Sequence, residues 1–175
     1  MTSVSDQITA EIQVLISQDF CSCWRIGNMQ IFEFGKVRSY LNRKGQKVQG
    51  GEFKLHVQCR WRMINPTRIL FGRDDLLRPA DSRISVDDFD WDENESVLDV
   101  AQQEWFAGHR PGFAKVTSVS GDAYGGCRIG FGTGEILELI PCDSDRSEYS
   151  EHWRLFGHRD DDTHFVVTGA GIDIG

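Results

Sequence analysis

The stretch from Phe53 to Met63 constrains the fold more than any other part of this chain. Every second side chain is apolar (Phe53, Leu55, Val57, Cys59, Trp61, Met63), and between them stand Lys54, His56, Gln58, Arg60 and Arg62. A period of two sends successive side chains to opposite faces, which extended chain does and a helix cannot. The stretch therefore predicts one long central strand with a core face and an almost purely basic face. A sheet face covered by a helix is normally apolar, so the basic face is expected to be wet.

Shorter β patterns surround it. Cys21 to Ile26, Met29 to Phe34, Lys36 to Leu41 and Arg68 to Phe71 read as strands, with turn chemistry at Gly27-Asn28 and at Asn42-Arg43-Lys44-Gly45. Later in the chain come Phe113 to Val119, Gly126 to Phe131, Glu135 to Ile140, His152 to Phe156 and His164 to Thr168. Gly132-Thr133-Gly134 joins two of these as a tight hairpin, and their spacing without helices predicts an antiparallel meander.

Two segments have helical periodicity instead. Ser5 to Gln18 places Ile8, Ile12 and Leu15 on one stripe, with Ser3 or Ser5 able to cap its start. Glu93 to Ala107 aligns Val97, Ala101 and Trp105 with Leu98; Gly108 ends it, and Asp92 with Glu95 has capping-box spacing. The expected fold is α+β, mainly antiparallel sheet: N-terminal helix, long central strand, second helix, C-terminal β-meander. At 175 residues the chain fits one domain spanning 1–175, large enough to bury a core.

Composition narrows the classes. No apolar run approaches the roughly 20 residues of a membrane span. The opening Met1-Thr2-Ser3-Val4-Ser5-Asp6 lacks the basic and apolar regions of a signal peptide. Five scattered cysteines (Cys21, Cys23, Cys59, Cys127, Cys142) do not make a disulfide framework, so a cytoplasmic chain with no membrane association is expected. The net charge of −8 hides a split: 12 basic against 7 acidic residues up to Arg78, then 7 against 20 after it. The two halves can attract each other within the fold, or their faces can be kept for a partner.

Candidate chemistry is sparse. Val166-Val167-Thr168-Gly169-Ala170-Gly171-Ile172 has the look of a dinucleotide-binding turn, but no helix follows to hold a pyrophosphate. Cys21-x-Cys23 could present two thiols to a metal, yet the paired Cys-x-x-Cys spacing of structural zinc sites is missing, and His56 and Cys59 would face opposite ways. Cys127 or Ser120 with His109 or His152 lacks a nucleophile elbow. The acids from Asp87 to Glu93 read more simply as a solvated loop entering a helix than as a nuclease centre. Neither a cofactor nor a metal is expected, no catalytic residue is assigned, and a binding role is favoured over an enzymatic one.

Part of the last third carries a resemblance. Gly130-Phe131-Gly132-Thr133-Gly134-Glu135-Ile136-Leu137-Glu138-Leu139, then Glu151-His152-Trp153-Arg154-Leu155, then His164-Phe165-Val166-Val167 resemble small uncharacterised bacterial proteins, some similar to immunity proteins of toxin systems. That resemblance implies a single-domain α+β protein that docks onto a partner, often through an acidic surface, and brings no catalytic residues with it. The split charge, the lack of convergent chemistry and the acidic loop bearing Phe89, Asp90, Trp91 and Asp92 lead to the expectation of a non-enzymatic binding protein, immunity-type or accessory subunit, whose protein partner docks at that loop. Its aromatics are expected to be exposed and, among acids, suit a basic toxin or nuclease. The alternative is a nucleic-acid-associated factor using Lys54, His56, Arg60 and Arg62.

Overall fold

The computed structural model describes residues 2–41, 44–109, 112–157 and 163–175. It is an α+β fold with mainly antiparallel sheet, 19% helix and 42% strand. In chain order the elements are α1 (Val4–Ile12), β1 (Phe20–Ile26), β2 (Met29–Phe34), β3 (Arg38–Leu41), β4 (Lys47–Gly50), β5 (Phe53–Val57), β6 (Arg60–Ile64) and β7 (Ile69–Gly72). After them come α2 (Val97–Ala107), β8 (Val116–Gly121), β9 (Cys127–Phe131), β10 (Ile136–Ile140), β11 (Glu151–Gly157), β12 (Phe165–Thr168) and β13 (Gly171–Ile174). Short 3₁₀ turns occupy Gln13–Leu15, Arg73–Leu77 and Val86–Asp88.

Two antiparallel sheets bury one hydrophobic cluster. The six-stranded sheet runs β1-β2-β5-β11-β12-β13 and the five-stranded sheet β7-β6-β10-β9-β8; β3 and β4 form a separate hairpin. The alternation of Phe53 to Met63 persists, with Leu55, Val57, Cys59, Trp61 and Met63 all buried. It is carried by two strands, however, not by the one long strand expected. The amides of Gln58 and Cys59 both donate to the His152 carbonyl, at 2.8 and 3.0 Å, so the chain bulges there. β5 lies in one sheet and β6 in the other, and the apolar face stays inside through the corner.

A second corner joins the sheets. Phe20 N–H donates to Ala114 O (2.9 Å), and residues 17 and 18 exchange bonds with Val116, so the start of β1 is tied to the chain entering β8. α1 caps this region with Ile8 and Ile12, continued by Leu15, all fully buried. Its Thr9 hydroxyl accepts from Gly121 N–H at 2.8 Å and the Ser5 hydroxyl donates to Gly121 O at 2.9 Å, satisfying the edge of β8. A Cβ on Gly121 would come within 2.6 Å of Ile8, so only glycine permits this approach. Ser3 caps α1 and pairs reciprocally with Asp6; the helix gives way to a 3₁₀ turn at Gln13, short of the expected Gln18.

The last third forms two meanders: β8-β9-β10 belongs to one sheet and β11-β12-β13 to the other. β13 and β4 are strands that the sequence patterns did not mark. The Gly169-Ala170-Gly171 segment makes the β12–β13 hairpin, with Gly171 at φ +134°. Within the expected loop Asn42-Arg43-Lys44-Gly45, positions 42 and 43 lie outside the described residues; β3 and β4 on either side pair antiparallel.

Candidate protein-docking surface

β1 sets up the site through one irregularity. Phe20 pairs with Phe34 and Ser22 with Glu33, so two steps on β1 match one on β2, and Cys21 is the extra residue of a β-bulge. A slip of one residue reverses every side chain beyond it. Phe20 points into the core, stacked on Phe34 at 5.3 Å; past the bulge Cys23 faces inward, Trp24 outward and Arg25 inward. The other two Trp-Arg pairs are the reverse, since Trp61 and Trp153 are buried.

Arg25 uses its inward position to clamp two elements. Its Nε donates to Asp99 Oδ1 at 2.9 Å, and Nη2 donates to Asp99 Oδ2 at 3.1 Å and to the Trp91 carbonyl at 2.6 Å. Hydrogen bonding to Asp99 raises the Arg25 pKa above its ordinary value. Burial opposes the charge on Asp99, but bonds from Arg25 and Ser96 outweigh it and hold this carboxyl below the usual range. The capping box of α2 is Ser96 with Asp99, so the helix begins at Val97, and the expected pair of Asp92 with Glu95 does not cap it. The reason is local: Asp90 O accepts from Glu93 and Asn94 N–H, which turns the chain before a helix can start.

The expected docking residues lie on a closed loop. Ala80 N–H donates to Glu95 O at 3.0 Å and Val97 N–H to Arg78 O at 2.9 Å, so residues 80–95 form an Ω-loop with joined ends. This loop holds seven carboxylates and a single cationic side chain, Arg83, which pairs with Asp81 at 2.6 Å. Among the described residues no cation pairs with Asp87, Asp88 or Asp90, while Asp92 lies 3.9 Å from Arg25. Phe89 and Trp91, expected to be exposed, are half-buried, with Trp91 packed against the core. Their uncovered flanks, with Leu77, Val86 and Asp90, line a groove of about 440 Å³. Leu77 and Val86 are 56% and 67% exposed. The sequence patterns missed both, because each falls in a short 3₁₀ turn with no periodicity.

The basic strand residues are divided by the corner at Gln58. Lys54 and His56 lie on the outer face of the six-stranded sheet, Arg60 and Arg62 on that of the five-stranded sheet. The face expected to be wet is covered at Lys54, which the β3–β4 hairpin shields: its ammonium meets the Tyr40 hydroxyl and lies 3.4 Å from Glu33. His56 is edge-on to Phe156 at 4.8 Å and pushed down to about 4 by burial, with Lys54 and Arg154 adding to the effect. Arg60 pairs with Asp74 at 2.6 Å, and Arg62 and Arg128 converge on the buried Glu138 at 2.5 and 2.6 Å. These neutralising acids come from β2, β10 and the 3₁₀ turn after β7, not from the Ω-loop.

A larger cleft of about 750 Å³ opens beside the loop, between β1 and α2, where Cys21, Cys23, Arg25, Asp92, Gln102 and Phe106 are among its walls. Burial raises both thiols, Cys21 to about 11, so they are neutral at neutral pH. Cys127 is buried with its pKa also raised; His152 lies 3.5 Å from Asp143, and the His109 ring is tilted against Phe113 at 4.1 Å. Among the described residues no three His, Cys, Asp or Glu side chains converge to hold a metal, and no helix is long and apolar enough to cross a membrane. No family model, curated protein or solved structure matches the chain.

Proposed function

We propose that this chain is a non-enzymatic docking protein of the cytoplasm, an immunity-type or accessory subunit of a bacterial system, that binds a basic protein partner through the Ω-loop 80–95. The observation that carries this is an uncovered apolar groove bordered by Asp90, on a loop where Asp87 and Asp88 likewise pair with no cation among the described residues. The loop concentrates seven carboxylates against one cation, Arg83, which is already taken by Asp81, so its negative charge is left to solvent or to a partner. An apolar centre with a charged rim is how interfaces divide their work: the centre supplies affinity on desolvation, and the rim steers encounter and selects the partner's sign. A nucleic-acid role would rest on Arg60 and Arg62 with Arg128, but Asp74 and Glu138 already take up much of that charge.

The test is affinity capture from the native host, with and without nuclease, comparing the wild type with two loop variants. Val86→Ser with Leu77→Ser removes apolar contact, and Asp87→Lys with Asp90→Lys reverses the rim; all four positions are exposed, so folding is preserved. A stoichiometric basic protein that survives nuclease and is lost from both variants is the expected result. Equal recovery by the variants, or recovery of nucleic acid alone, would overturn the proposal.

A further inference from the structure

β1 is an edge strand, and its free edge faces the 750 Å³ cleft. The two-residue turn at Gly27-Asn28, with Gly27 at φ +56°, makes Ile26 and Met29 the closing bonded pair. Bonded and non-bonded pairs alternate along an antiparallel ladder, so Trp24 and Ser22 also bond to β2. The amide and carbonyl groups of Cys23 and Arg25 therefore point away from the sheet. At Phe20 the edge is already closed by Ala114; beyond it, no described strand covers the edge.

A second observation lies across the cleft on α2. Gln102 is 6% exposed, lines the cleft, and its Nε2 has no hydrogen-bond partner. A buried amide donor left unsatisfied costs on the order of 1–3 kcal/mol unless something accepts from it. An extended peptide offers what both walls lack: N–H and C=O groups at strand spacing for β1, and a further carbonyl for Gln102. Asp92, 65% exposed at the rim, favours a basic chain, and its neighbour Trp91 belongs to the docking groove.

We propose that this cleft receives an extended, basic segment of the partner protein as an added strand on β1, bonded to the main chain of Cys23 and Arg25. The inference rests on the docking role given above to the Ω-loop and names the mode of recognition beside it. Arg25, clamped to Asp99 and the Trp91 carbonyl, holds the cleft's two walls and the loop in one frame.

The probe is a phage-displayed library of short random peptides panned on the full chain, followed by amide hydrogen exchange with an enriched synthetic peptide bound. Enriched peptides are expected to carry Lys or Arg in an extended pattern and to slow exchange at Cys23 and Arg25 by about tenfold or more. Cys23→Pro should weaken binding by about tenfold or more, because it removes an outward N–H without breaking the ladder to β2. The exchange measurement on the wild type decides the matter even if that variant folds poorly. No enrichment, unchanged exchange at both amides, or self-association of the chain through this edge would each overturn the proposal. Affinity lost on Asp90→Lys with both amides unprotected would remove the added strand and leave the loop reading intact. Protection at both amides with indifference to Asp90→Lys and Val86→Ser would keep the strand and remove the loop.

Discussion

Arg25 shows how one side chain can join elements that local patterns keep apart. Its guanidinium spans Asp99 on α2 and the carbonyl of Trp91 on the Ω-loop, and a planar fork is the group that can do both. Arg25→Ala should cost about 2–3 kcal/mol in urea denaturation, because Asp99 loses its partner while half-buried. Arg25→Lys should recover only part of that; full recovery would show that charge alone is needed. His56 gives a pH-dependent counterpart, facing Lys54, Arg154, Glu151 and His164. Its folded value of about 4 lies below the ordinary 6.5, so between these the unfolded chain binds a proton that the folded chain does not. Stability should fall as pH drops from 6.5 towards 4, and His56→Gln should flatten that slope in denaturation midpoints. An unchanged slope would assign the effect to other groups.

At the scale of elements, caps and bulges decide what periodicity cannot. The stripes Ile8-Ile12-Leu15 and Leu55-Val57 were legible because burial imposes them over several residues. The corner at Gln58 was not, since both strands keep the same alternation and only the shared His152 carbonyl marks the change of sheet. The same limit hid the inversion at β1: the extra residue Cys21 has no sequence signature, yet it decides that Trp24 faces out and Arg25 in. Asp92 with Glu95 and Ser96 with Asp99 have equal spacing; the turn on the Asp90 carbonyl rules out the first, and Arg25 holds Asp99 in the second. Ser96→Ala should therefore cost about 1 kcal/mol and speed amide exchange at residues 97–99. Loss of protection confined to other segments would contradict this account of how α2 begins.

For the whole molecule, the charge split between the halves has two physical outcomes. Arg62 of the basic half meets Glu138 within the five-stranded sheet, and Arg25 of β1 takes Asp99 on α2, so part of the imbalance is matched inside the fold. Part of the remainder lies on the Ω-loop, where Asp87, Asp88 and Asp90 pair with no cation among the described residues. The acidic loop itself was legible as composition. Its groove was not, because Leu77 and Val86 come together only once the bridge between Pro79 and Ser96 closes the loop. Partner binding should weaken as ionic strength rises, through slower association, while a Val86→Ser variant should act mainly on dissociation. Equal salt response after Asp87→Lys with Asp90→Lys would place the steering field elsewhere.

The most direct measurement of the docking role is site-specific photo-crosslinking in the native host, with the photo-reactive residue at position 86 in the groove and, as control, at position 120 on β8, the edge of the five-stranded sheet opposite β7. The account predicts one dominant adduct with a basic protein from position 86 and none from position 120. Adducts of equal yield from both positions, or none from position 86, would contradict it.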